Sequence, residues 1–437
     1  MSTATTAHGV QAGQDLSVLR RRAILSCVVG NFFELFDFAI YGFFAASIGR
    51  AFFPATNPAV SLLSSFATYG VGFIMRPVGA IVIGAYGDRH GRKAALVLTV
   101  TIMATATALT GLIPGYATIG VLAPALLVLC RLVQGFSTGG EWGGAAAFLV
   151  EYAPEGKRGY FGSWQQFSVG LGLLAGSGAA YALTTFMDPA SLALWGWRVP
   201  FVFGFLLAPV GYYLRSRVGE TPAFERTLAR HEVAASPLRL ALTIHRAKVL
   251  TGLGLTVIWT VSSYLFLTFM PSYVTQTLHM PASVALASNT VAILILTVLT
   301  PLMGALSDRI GRRKMLLTSA IGYLVLSYPL FLLVTERRDF LGLAIAQAVA
   351  AVLLAIFSGP GPALLCEMFP TSVRYTSLSL GYNVAVAVFG GFAPFIAIAL
   401  VQWTGDPIAP TYYVMAAALV STLVILRVKD RTHMPLQ

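Results

Sequence analysis

The chain has 437 residues, of which 57% are hydrophobic and only 11% charged. A soluble domain carries about 25% charged residues, so this composition, with a mean hydropathy of +0.76, excludes a water-soluble globule. The net charge of +12 would suggest a nucleic-acid partner in a soluble protein; here it fits membrane-protein loops, which collect Lys and Arg on one face.

Residues 1–21 read as a disordered cytoplasmic tail, without the apolar core of a cleavable signal ahead of the first span. Twelve apolar runs follow, near 22–48, 60–86, 94–114, 119–149, 160–186, 199–216, 249–275, 282–306, 315–334, 340–366, 377–402 and 410–427. Their length suits membrane helices and exceeds the ~10 residues of an outer-membrane barrel strand. The expected fold class is therefore an all-α polytopic membrane protein of 12 helices in two six-helix bundles, over 22–216 and 249–427. The polar stretch 217–248 is the expected cytoplasmic linker, able to hold short interfacial helices, and 428–437 is a cytoplasmic tail.

The first bundle carries five ionisable residues deep in its spans: Glu34, Asp37, Arg76, Arg131 and Glu141. An ion at the bilayer centre costs at least ~2.5–3.5 kcal/mol, so these groups are expected to face a polar cavity and to pair. On the first span, Asn31, Glu34, Asp37 and Tyr41 fall on one helix face at 100° per residue. Arg76 precedes Asp88 by 12 residues, which sets it ~18 Å from the membrane edge, near the midplane. Gln134 and Gln165 add neutral polar groups in spans 4 and 5. The second half has no charge of comparable depth, and Asn383 is its clearest polar candidate. All six histidines lie in tails or loops, so a histidine relay within the membrane is not expected. Cys27, Cys130 and Cys366 are widely separated, which suggests neither a disulfide framework nor a metal site.

Two loop patterns recur across the linker. Gly84-Ala-Tyr-Gly-Asp88-Arg89-His-Gly91-Arg92-Lys93 follows span 2, and Gly304-Ala-Leu-Ser-Asp308-Arg309-Ile-Gly311-Arg312-Arg313 follows span 8. Glu151, Pro154 and Arg158 after span 4 are matched by Glu367, Pro370 and Arg374 after span 10. Matching loops at matching places indicate a duplicated six-span unit. Gly91 and Gly311 permit tight reversals. Asp88 is expected at the positive N-terminal end of span 11, and Asp308 at that of span 5. Arg92 with Glu151, and Arg312 with Glu367, are candidate ion pairs of a cytoplasmic lock. With an inside N-terminus, 23 of the 29 Lys and Arg fall on the inner side and 4 on the outer, so both termini are expected in the cytoplasm.

The Gly-x-x-x-Asp-Arg-x-Gly-Arg-Lys/Arg loop and its repeat resemble the signature of the major facilitator superfamily, and Arg131-Leu-Val-Gln134-Gly135-Phe-Ser-Thr-Gly139 resembles its second motif. Gly30-Asn31-Phe-Phe-Glu34-Leu-Phe-Asp37, Phe73-Ile-Met-Arg76-Pro77, Gly139-Gly140-Glu141-Trp142-Gly143-Gly144, Trp195-Gly-Trp197-Arg198 and Glu220-Thr-Pro-Ala-Phe224 are similar to metabolite:proton symporters. That resemblance implies transport of substrates such as citrate, 2-oxoglutarate, shikimate, proline or betaine.

The function expected is proton-coupled uptake of a small organic anion, a mono-, di- or tricarboxylate, by rocker-switch alternating access in a bacterial inner membrane. Substrate-binding candidates are Arg76, Arg131, Tyr41, Gln134, Gln165 and Asn383. Proton-coupling candidates are Asp37, Glu34 and Glu141. The lock comprises Asp88, Arg92, Glu151, Asp308, Arg312 and Glu367. The partners are the organic anion, protons and the lipid bilayer, with no nucleic acid, no cofactor, no metal and a monomeric state. Alternatives are a zwitterion transporter of the proline or betaine type and a facilitative uniporter. A membrane sensor or an intramembrane enzyme fits less well: the linker has no room for a signalling domain, and no catalytic motif is present.

Overall fold

A computed structural model of the chain describes residues 3–436 other than 57 and 218; side chains of residues 3–19 and of some later helical positions fall outside that description. Twelve helical crossings alternate in direction. In the first half they are α1 (Thr3–Phe43), α2 (Pro58–His90), α3 (Arg92–Leu112), α4 (Leu122–Tyr152), α5 (Arg158–Phe186) and α6 (Val199–Arg217). In the second half they are α7 (Arg246–Ser263, continuing to Gln276), α8 (Ala282–Ile310), α9 (Arg312–Arg337), α10 (Phe340–Ser358, continuing to Glu367), α11 (Arg374–Ala385, continuing to Thr404) and α12 (Pro410–Arg427). Eleven of the described helical stretches are long and apolar enough to cross a membrane; α6, of 19 residues, occupies the remaining crossing position. Large apolar side chains such as Leu112, Val298 and Phe395 lie exposed on the outside, as lipid solvation requires.

The backbone is helical from Thr3 into the first span; positions 1 and 2 lie outside the described residues. Ala4, Ala7 and Ala12 favour helix, and no proline interrupts the approach to the span.

The duplicated unit is visible in the packing. Within the first bundle α2 packs on α4, α1 on α5, and α3 on α4 and α6; within the second, α8 packs on α10, α7 on α11, and α9 on α10 and α12. Across the seam between the bundles, α2 meets α11 and α8 meets α5, the same two positions exchanged. Gly91 and Gly311 turn the chain at φ +100° and +97°, conformations in which a side chain would be strained. The linker holds two short helices, Pro222–Ala229 and Pro237–Leu242.

Two crossings are not plain α-helix. Tyr264–Phe269 in the seventh and Val386–Gly390 in the eleventh are π-helical, a geometry that recurs at functional sites. The two segments abut: a Cβ at Gly390 would lie 2.8 Å from the Tyr264 ring.

Candidate functional site

Arg76 is positioned by the packing of α2 on α4. Cβ atoms at Gly135 and Gly139 would fall 1.9 Å and 2.0 Å from the carbonyl oxygens of Gly72 and Arg76, so the two backbones are in direct contact. This fixes the Arg76 Cα beside α4 and aims the side chain at the seam. Its guanidinium lies 4.5 Å from the Phe73 ring centroid and 5.3 Å from that of Phe38. The Arg76 Nε has no hydrogen-bond partner among the described residues. Phe73 meets Tyr264 of the second bundle edge-on at 5.7 Å, and Tyr264 and Tyr382 lie within electrostatic range of both Arg76 and Glu34.

Arg131 is placed differently. Its Nη1 pairs with Asp37 Oδ2 at 3.1 Å, and Gln134 Nε2 donates to the same oxygen at 3.0 Å and to Thr107 Oγ1 at 3.0 Å. The Arg131 guanidinium sits 4.0 Å above the Tyr41 ring, and the Tyr41 hydroxyl donates to the Ser65 carbonyl at 3.1 Å. All four side chains are buried inside the first bundle. Positions 131 and 134 share one face of α4, and that face looks at α1 and α3, not at the seam. Arg131, Gln134 and Tyr41, expected to contact substrate, are thus engaged with or around Asp37. Gln165 is buried on α5 and accepts from Gln166 Nε2 at 2.7 Å.

Glu141 accepts a hydrogen bond from the Thr99 hydroxyl on α3. Glu34, Asp37 and Glu141 line one small cavity inside the first bundle. The three acids expected to handle protons are therefore brought together, behind the seam and not within it.

Below Arg76 the seam is closed by close contact. The Trp142 ring on α4 stacks on Tyr382 of α11 at 3.5 Å with planes 4° apart, and Trp259 meets both edge-on at 5.7 Å. Asn383 Nδ2 donates to the Gly139 carbonyl at 2.8 Å and to Ser379 at 2.9 Å, so this amide bridges the bundles. The Tyr375 hydroxyl donates to the Gly140 carbonyl at 2.8 Å. Gly143 and Gly144 give α11 a flat surface against which to lie, while Gly139 and Gly140 face Arg76 and Ile83 of α2.

The face carrying the Lys- and Arg-rich loops, hereafter the basic face, is tied across the seam twice. Asp88 accepts from the Tyr375 and Thr376 amides at 3.2 Å and 2.8 Å, and from the Thr376 hydroxyl at 2.7 Å. Asp308 accepts from the Gly159 and Tyr160 amides at 2.8 Å and 2.9 Å. Each carboxylate thus meets the N-terminal end of a helix in the opposite bundle, where free amides favour an anion. Arg92 lies 3.3 Å from both Asp88 and Glu151, and Arg374 reaches Glu151 at 2.6 Å across the seam. In the second half Arg312 grips Glu367 with two bonds, of 2.8 Å and 2.9 Å, and Arg158 reaches Glu367 at 3.4 Å across the seam. Arg158 and Arg374 were absent from the expected lock, although both belong to the repeated Glu-Pro-Arg pattern that would have identified them.

Two further acids cap the helices that follow the glycine turns. Glu220 Oε2 accepts from the Lys93 amide at 3.1 Å, and Asp430 Oδ2 from the Arg313 amide at 3.1 Å. Burial pushes the Glu220 carboxyl above the usual range despite bonds from the Thr221 and Lys93 amides. Burial acts likewise on Asp430, but its bonds from Thr432 and Arg313 outweigh it and hold the carboxyl below the usual range.

A family model described as sugar (and other) transporter matches residues 23–240, and one described as Major Facilitator Superfamily matches residues 253–437. A citrate-proton symporter of Klebsiella pneumoniae is 37% identical over 415 residues, covering 95% of this chain and 93% of the relative. A proline/betaine transporter of Escherichia coli (strain K12) is 36% identical over 427 residues, covering 95% and 85%. Among solved structures, the proton:xylose symporter XylE bound to 6-bromo-6-deoxy-D-glucose superposes with a TM-score of 0.80 at 18% identity, covering 95% of this chain and 97% of that one. The last likeness concerns the fold alone.

Proposed function

The chain belongs to the major facilitator superfamily, and from that premise we propose that it is a proton-coupled symporter of a small organic anion. It is a membrane transporter and not an enzyme. The two bundles rock about the seam to expose a central site alternately to each side. Both termini are assigned to the cytoplasm of a bacterial inner membrane, in keeping with the 23-to-4 partition of Lys and Arg; no partner subunit is invoked.

The observation that carries this reading is the contrast between the two deep arginines. Arg131 is paired with Asp37 at 3.1 Å, although its Nε and Nη2 also lack partners among the described residues, whereas Arg76 at the seam has no ion pair with a described carboxylate. A planar guanidinium grips a carboxylate at two points, so Arg76 is the anchor for a mono-, di- or tricarboxylate. Asp37, buried and bonded to Arg131 and Gln134, is the first choice as proton carrier. The two basic-face networks, Asp88–Arg92–Glu151–Arg374 and Asp308–Arg312–Glu367–Arg158, hold that face shut and must break for release.

A second reading has its own support. Phe38 and Phe73 flank the Arg76 guanidinium, and Tyr264 and Tyr382 lie within its electrostatic range; aromatic faces attract ammonium groups. A proline- or betaine-like zwitterion would place its carboxylate on Arg76 and its cation there. Relatives of both kinds exist, a citrate-proton symporter and a proline/betaine transporter.

Counterflow in proteoliposomes, with labelled citrate and labelled betaine in parallel, decides between them. Citrate exchange lost in Arg76→Ala supports the anion reading, and betaine exchange alone supports the second. Exchange that survives Arg76→Ala removes the arginine from the site. Uptake unaffected by acidifying the outer solution would reduce the protein to a uniporter.

A further inference from the structure

The seventh crossing has a bonding deficit that its own backbone cannot fill. In its π-helical turn the Met270 amide bonds to the Leu265 carbonyl, five residues back. The Phe266 carbonyl would take the next amide along, but residue 271 is proline and has none. A buried carbonyl without a donor is costly. The donor comes from another helix: Gln347 Nε2 on α10 donates to the Phe266 carbonyl at 3.0 Å.

The rest of the Gln347 amide is held by α8. Its Nε2 also donates to Asn289 Oδ1 at 3.1 Å, its Oε1 accepts from the Ser288 hydroxyl, and the residue is 1% exposed. Gln347 stands 216 positions after Arg131, the offset that also relates Glu151 to Glu367. In each half, then, the fourth crossing sends a polar side chain to the first: Arg131 to the Asp37 carboxylate, Gln347 to a backbone carbonyl of α7.

Pro271 does not select the π turn by itself. In a plain α-helix the Met270 amide would bond to Phe266, and the Leu267 carbonyl would be the one facing proline. One carbonyl goes short in either register, and Gln347 serves Phe266. The register matters at the seam. Tyr264, at the head of the turn, meets Phe73 of the first bundle at 5.7 Å and lies within electrostatic range of Arg76. Phe266 packs the other way, on Tyr323 at 5.8 Å and Phe331 at 5.5 Å. Beyond the turn, the Tyr273 hydroxyl donates to the Pro407 carbonyl at 2.6 Å and anchors the far end. A slip of one residue rotates one side of the turn by ~100° against the other. With the far end anchored, Tyr264 is the side chain that leaves its place.

We propose that Gln347 is a positioning residue for the central site: by supplying the donor that Pro271 withholds, it sets the register of the seventh crossing and keeps Tyr264 opposite Arg76. The proposal rests on the reading of Arg76 as the substrate anchor.

Gln347→Met keeps the length of the side chain and removes the donor, while Pro271→Ala returns a backbone amide to Phe266. The two substitutions together form the test. In counterflow with labelled citrate and labelled betaine, Gln347→Met should raise KM for the carried solute about tenfold with little change in maximal rate, because the fraction in the competent register falls. Adding Pro271→Ala should bring KM back to the wild-type value. An unchanged KM in Gln347→Met, or a raised KM that persists in the double variant, overturns the proposal. Should Gln347→Met fail to fold, folding regained with Pro271→Ala supports the proposal and continued failure overturns it. Backbone amide exchange over 264–276, measured on the full chain in lipid without substrate, needs no transport. It should be faster in Gln347→Met and return to the wild-type rate in the double variant; equal exchange in wild type and Gln347→Met overturns the proposal. If the wild type carries neither solute, the transport reading fails while the exchange rates still decide what sets the register.

Discussion

Adding one methyl group at Gly144 should open the basic face. A Cβ there would lie 2.0 Å from the Tyr375 hydroxyl oxygen and 2.4 Å from the ring carbon bearing it, where ordinary contact begins at 3.4 Å. Tyr375 has no room to retreat: it is fully buried, and Gly87 on its other side already leaves only 2.3 Å between a built Cβ and the ring. Gly144 belongs to α4 and Tyr375 to α11, so the clash is relieved most simply when the two bundles part. Overpacking of this kind costs ~1–3 kcal/mol, and losing the hydroxyl bond to Gly140 adds ~1 kcal/mol. The closed arrangement should therefore lose about 30- to 1,000-fold in population, at 1.4 kcal/mol per factor of ten. Spin labels on Glu155→Cys and Arg309→Cys, both exposed and in opposite bundles, report the separation; the native cysteines are buried. Gly144→Ala should move the distance distribution from short to long. A folded variant with the wild-type distribution would show that Tyr375 against α4 does not hold the face shut.

The two halves of the lock should respond unequally. Arg374→Ala removes a 2.6 Å partner from buried Glu151 and leaves Arg92 at 3.3 Å, whereas Arg158→Ala removes only a 3.4 Å partner from Glu367, which keeps two bonds from Arg312. The same spin-label pair should open more in Arg374→Ala, and the reverse order would refute this ranking. Glu34→Gln should weaken the dependence of substrate affinity on pH, read by thermal-shift titration at two pH values; an unchanged dependence would exclude Glu34 as a proton-coupling group. Asp430, held below the usual aspartate range, contributes stability that is present above its unfolded pKa and lost as pH falls below about 4. Asp430→Asn keeps an acceptor for the Arg313 amide but cannot titrate, so its melting temperature should fall less than that of the wild type between pH 5 and 3. Parallel acid limbs would dissociate Asp430 from acid stability.

What the sequence made legible was set by covalent order. Runs of ~20 apolar residues, the repeated loop pattern and the glycines at 91 and 311 are local signals. They located the crossings, the duplication and the seam partners of Asp88 and Asp308 correctly. The rotation of each helix about its axis is not local. Arg131 and Arg76 look alike in sequence, each a lone arginine near mid-span, yet backbone contact between α2 and α4 sends one inward to Asp37 and leaves the other at the seam. Partners such as Trp142 and Tyr382 are 240 positions apart, and no pattern in either stretch announces their stacking. The π-helical turns at Tyr264 and Val386, which meet between the seventh and eleventh crossings, carry no compositional mark either.

The uneven placement of charge between the halves has a mechanical consequence. Moving a bundle boundary past a deep ion changes its solvation, a cost of at least ~2.5–3.5 kcal/mol per ion at mid-membrane. If both halves carried such ions at the seam, each rocking step would meet that cost twice. Here the deep ions belong to one bundle, and three of them, Asp37, Arg131 and Glu141, are held by neighbours within it; they move as a rigid set and keep their surroundings. Of the two deep arginines, Arg76 is the one at the moving surface, opposite neutral aromatic groups. The electrostatic barrier to rocking is thereby concentrated on one side chain, and an anion bound there can lower it. Coupling then requires no relay through the second bundle, only that the charge state beside Arg76 differ between the loaded and empty carrier.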